Sequence, residues 1–63
     1  MSKKRIDVNV TSPGMFQSEY YAVARDEGGN EVAYAYGRDR REATVKVVQK
    51  VRERYGSDAE ILY

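Results

Sequence analysis

One segment of this 63-residue chain, 40 to 55, carries apolar residues at helical spacing, and the other apolar runs read as strands. That imbalance is the main constraint on the fold. A single helix covers one face of a sheet and leaves the opposite face to solvent or to a partner. Ala43, Thr44, Val47, Val48, Val51 and Tyr55 make the helical stripe, and three valines in it lower the intrinsic propensity, so packing must hold the helix. Asp39 followed by Glu42 is a variant of the capping box at its start, and Gly56 supplies a left-handed stop at its end.

The strands follow from alternation and turn residues. From Arg5, Ile6, Val8 and Val10 fall on one side and Asp7, Asn9 and Thr11 on the other, until Ser12-Pro13-Gly14 stops the run. Residues 1 to 4 form a polar start expected to fray, and Met15 and Phe16 are expected to fold over a core edge. A second strand is expected over about 18 to 25 and a third over 31 to 37, joined as a hairpin through Asp26-Glu27-Gly28-Gly29-Asn30. Two registers compete. A two-residue turn pairs Arg25 with Val32 and puts Ala22, Ala24, Ala33 and Ala35 on one face. A three-residue loop with Gly29 left-handed pairs Arg25 with Glu31, Val23 with Ala33 and Tyr21 with Ala35. The second is favoured, because it opposes unlike charges and sets large side chains against small ones. Ala59 to Tyr63 reads as a short terminal strand. The expected fold is one α+β domain over 1 to 63 in the order βββαβ: a three-stranded antiparallel sheet, one helix on one face, and a short C-terminal strand.

Composition narrows the chemistry. With no Cys and no His, zinc fingers, thiolate or imidazole catalysis and histidine switching are excluded, and no metal, cofactor or catalytic residue is expected. Asp26 with Glu27, and Asp58 with Glu60, are carboxylates at turns that serve no chemistry there. A third of the residues are charged and no apolar run is long enough for a membrane span, so the expectation is a soluble, cytoplasmic, non-enzymatic protein.

In the favoured register Tyr21, Val23, Ala33 and Ala35 face the helix, which leaves Tyr20, Val32, Tyr34 and Tyr36 as an apolar patch for a partner. Protein association is the first candidate, either with a second copy of the chain, since a dimer adds the buried area that so small a domain lacks, or with another, larger protein that this chain would regulate or inhibit. Nucleic acid is the alternative, with tyrosines stacked on bases and Lys3, Lys4, Arg5 and Arg25 on phosphates. Seven of the eleven basic residues lie within 38 to 55, and Lys46, Lys50 and Arg54 form a row there that suits a phosphate backbone, or else an ordinary solvated helix face. Against nucleic acid stand the net charge of +1 and the acidic Asp7, Glu19 and Glu31 among the strand residues.

The run Tyr20 to Gly29, and then Gly37-Arg38-Asp39-Arg40-Arg41-Glu42-Ala43, resembles the N-terminal domain of HicB-type antitoxins over about half of the chain. The same layout with a terminal strand also resembles short uncharacterised bacterial and phage domains. The resemblance implies a non-catalytic module that acts by contact with another macromolecule.

Overall fold

A computed structural model describes residues 4–15 and 18–63. The elements are β1 (Lys4–Thr11), β2 (Tyr20–Arg25), β3 (Glu31–Gly37), α1 (Arg40–Tyr55), a 3-10 turn (Gly56–Asp58) and β4 (Ala59–Leu62). They form a small α+β unit with one helix and a four-stranded mixed sheet in the order β3-β2-β1-β4. The first three strands are antiparallel neighbours as expected. The fourth joins the same sheet parallel to β1, with Ile6 opposite Ile61. A parallel neighbour needs a crossover, and α1 supplies it by carrying the chain from the β3 edge to the free side of β1. Lys4 pairs with Ala59 and so belongs to β1; residues 1 to 3 and Phe16 lie outside the described residues. Met15 is 95% exposed, not folded over the core.

The hairpin combines both candidate registers. At the turn Arg25 pairs with Glu31, as favoured, but the strand bodies pair Ala24 with Ala33, Ala22 with Ala35 and Tyr21 with Tyr36. Val32 is the extra residue that reconciles them, a bulge beside Ala24 and Arg25. The loop is fixed by Asp26, whose Oδ1 accepts from the N–H groups of Gly28 and Asn30, both at 2.9 Å, and by Gly29 at φ 83°.

A one-residue shift exchanges the faces of a strand, so the favoured face assignment is overturned. The side under the helix holds Ile6, Val8, Ala22, Ala24 and Ala35, all buried with Ala43, Val47 and Val51 of α1. Tyr20 and Val32 pack against this core, whereas Tyr21 and Val23 lie on the opposite face. The physical reason is closeness. Alanines leave room for the helix to approach, and its valines supply the missing volume. At Gly37 the approach is tight: a Cβ there would stand 2.4 Å from the Ala43 backbone nitrogen.

The helix ends as its sequence indicates. Asp39 accepts from the Glu42 N–H at 2.7 Å, and the Glu42 carboxylate reaches back to the Arg38 N–H at 3.2 Å, one residue beyond the usual capping box. Gly56 closes the other end at φ 64°, its N–H bonded to the Arg52 carbonyl.

Candidate functional site

The uncovered face of the sheet carries three tyrosines in mutual contact. Tyr21 on β2 is directly opposite Tyr36 on β3, with ring centroids 5.0 Å apart, and Tyr34 lies 6.2 Å from each of them. Tyr34 and Tyr36 remain 51% and 48% exposed. Beside them Val23, whose neighbours across the ladder are Tyr34 and Asn9, is only 5% exposed although no helix covers it. The rings therefore rest on an apolar floor with their outer surfaces free. The Tyr21 hydroxyl donates to Glu31 Oε1 at 2.9 Å. That bond to a carboxylate, helped by partial burial and by the charge of Glu31, holds the Tyr21 phenol above its ordinary pKa.

Of the expected patch, Tyr34 and Tyr36 stand on this face. Tyr20 and Val32 turn to the helix side, and Tyr21, assigned to the core from sequence, completes the cluster in their place. Four alanines opposite a valine-bearing helix were the signal for the correct face, because small residues gather where a helix backbone comes near.

The basic residues are spread over three surroundings. Arg5 and Arg25 share the open face with the tyrosines, but in the strand register Arg5 stands opposite Glu60, and Arg25 between Asp7 and Glu31. Lys4 belongs to the other side, with its Nζ 5.7 Å from the Tyr55 ring centroid. The helical row leans on the edge of the sheet. Lys50 Nζ donates to the Tyr34 carbonyl at 2.8 Å, Arg54 donates to the Val32 carbonyl at 3.1 Å, and Lys46 pairs with Glu42 at 3.3 Å. Lys50 Nζ also lies 5.0 Å from the Tyr34 ring centroid, within reach of a cation–π contact.

Among the described residues no group of three or more Asp or Glu side chains is placed to hold a metal ion. Nor is any helix of those residues long and apolar enough to cross a membrane. The chain matches no family model, no curated protein and no solved structure.

Proposed function

We propose that this protein is a non-enzymatic interaction module whose open sheet face, centred on Tyr21, Val23, Tyr34 and Tyr36, receives a second copy of the chain. The observation that carries the reading is the tyrosine cluster: three rings in contact, two of them about half exposed, over a buried valine. Aromatic side chains are enriched at interface centres, because they bury much area at little conformational cost. A second copy suits the face because its charges are of both signs. Arg5 and Arg25 stand among Asp7, Glu31 and Glu60, so two such faces related by a twofold axis can match cation to anion. A polyanion would meet the same carboxylates as repulsion.

Sedimentation equilibrium of the wild-type protein and a Tyr34→Ser, Tyr36→Ser variant tests the proposal. A concentration-dependent dimer that the variant loses is expected. A wild type that stays monomeric at millimolar concentration overturns it.

The alternative is a single-stranded nucleic acid on the same face, and the observation in its favour is Lys50 beside the exposed Tyr34 ring, a cation next to a stacking platform. That version predicts oligonucleotide binding that weakens steeply with salt and falls on Tyr34→Ser; no binding at low ionic strength removes it.

A further inference from the structure

We infer that Lys50 and Arg54 guard the outer edge of β3 against strand addition, and that the strand they exclude is β3 of a second copy. β3 is a terminal strand of the sheet, so alternate residues along it direct their backbone groups away from β2. The carbonyls of Val32 and Tyr34 are two of these acceptors, and each is already bonded to a helix cation, at 3.1 Å and 2.8 Å.

The match is one of pitch. Two strand residues advance about 6.7 Å and four helix residues about 6 Å, so cations spaced by four on α1 meet outward carbonyls spaced by two on β3. The helix runs back along the strand. Arg54 thus reaches Val32, and Lys50 reaches Tyr34. Lys46, the next member of the row, bonds Glu42 instead. Lys50 also lines two depressions between helix and strand, one with Glu31 and Val32, the other with Tyr36 and Gln49. An incoming strand must pass it.

Without the guard, β3 is well suited to pair with itself. Val32, Tyr34 and Tyr36 carry the β-branched and aromatic side chains that favour strands. An antiparallel arrangement centred on Tyr34 would set Tyr34 of each copy opposite Tyr34 of the other, with the exposed rings side by side on the open face. With the guard, such an approach must displace two charge-assisted bonds in each copy and bring the Lys50 and Arg54 cations of both copies together. The inference is independent of how the tyrosine face is covered.

The test is a Lys50→Met, Arg54→Met variant, which keeps helix propensity and length but removes donors and charge. Lys46→Met serves as the control for added apolar surface, and Lys50→Arg as the variant that keeps a donor. Self-association by sedimentation is read together with amide hydrogen exchange at Tyr34 and Tyr36, which share the outward phase of the regular ladder. Association at least about tenfold tighter than wild type is expected, with those amides newly protected in the associated form. Lys46→Met and Lys50→Arg should behave as wild type. Association through the tyrosine face would leave the β3 edge amides exchanging as before. The inference is overturned if the folded double variant associates no more than wild type, if its edge amides stay unprotected, or if Lys46→Met has an equal effect. Should the double variant not fold, each single Met variant must show the same protection to a smaller degree, and its absence in both overturns the inference equally.

Discussion

Lys50 joins the helix to the backbone of Tyr34 and to its ring at once, with Nζ 2.8 Å from the carbonyl oxygen and 5.0 Å from the ring centroid. A side chain read from the sequence as part of a solvated helix row, or else as a phosphate contact, is thereby engaged inside the fold, at the seam between the sheet edge and the tyrosine face.

Lys50 and Lys46 should therefore differ in what they contribute, although both are exposed lysines on one helix row. Lys50→Ala removes a charge-assisted bond to a backbone carbonyl and is expected to cost about 1 kcal/mol. Lys46→Ala removes an exposed i, i+4 pair with Glu42 and is expected to cost about 0.3–0.5 kcal/mol, falling further with salt. Urea denaturation at low and moderate ionic strength separates the two. Equal losses would mean that the Tyr34 bond contributes nothing measurable.

Ala22→Val tests the face assignment. Valine is the better strand former, and on an open face the change would be neutral or mildly stabilising. Ala22 is fully buried beneath α1, so two added methyl groups must displace the helix or distort the sheet, at a cost of about 1–3 kcal/mol. Thermal unfolding reads the sign directly; a stabilised Ala22→Val protein would place this residue away from the helix.

Much of the fold was legible because each signal was local. The alternation around Ile6 and Val8, the Asp26–Asn30 turn, the Asp39 cap and the Gly56 stop each depend on residues close in sequence, and each lies where the spacing indicated. What escaped depended on distant partners. A single bulged residue, Val32, decides which side of β2 and β3 meets the helix, and no propensity rule assigns it. It replaced Tyr20 with Tyr21 in the exposed cluster while leaving Tyr34 and Tyr36 in place. The bonds from Lys50 to Tyr34 and from Arg54 to Val32 span 16 and 22 residues, so only the docked helix reveals them.

Gly37 is a position where the start of α1 leaves no room for a side chain on the sheet. Its added Cβ would fall 2.4 Å from the Ala43 nitrogen and 2.9 Å from the Ala43 Cα, and neither backbone atom can swing aside as a flexible side chain would. Gly37→Ala is expected to cost about 1–3 kcal/mol or more by forcing the helix start outward. Gly14→Ala, at a loop glycine with open space around it and no positive φ, should change stability little. Denaturation of the two variants side by side checks the contrast.

Acid should weaken the fold through two turn carboxylates. The Asn30 and Gly28 N–H groups hold Asp26 below the ordinary carboxylate range, and the Arg38 N–H followed by the Lys46 bond does the same for Glu42. Folded-state values below the unfolded ones mean that the stabilisation is present above about pH 5 and is lost as pH falls through the depressed values. An Asp26→Asn, Glu42→Gln variant should be less stable than wild type at neutral pH, with a flatter decline toward pH 2. Parallel declines in denaturation midpoint would show that neither carboxylate contributes to the acid limb.

Tyr21 sets the opposite limb. Its neutral phenol donates to Glu31, and ionisation would place two anions in contact, so its folded pKa lies above the ordinary value of about 10. A raised value in the folded state means that this contribution is intact below about pH 10 and is lost as pH climbs through the raised value. Tyr21→Phe should therefore lower stability at neutral pH by at most about 1 kcal/mol, given how exposed the pair is, and the gap to wild type should close at alkaline pH. Glu31→Gln should bring the Tyr21 titration down toward that of an ordinary tyrosine, seen as earlier growth of phenolate absorbance. A phenolate curve that Glu31→Gln leaves unchanged would show that the hydroxyl of Tyr21 is not bonded to that carboxylate in solution.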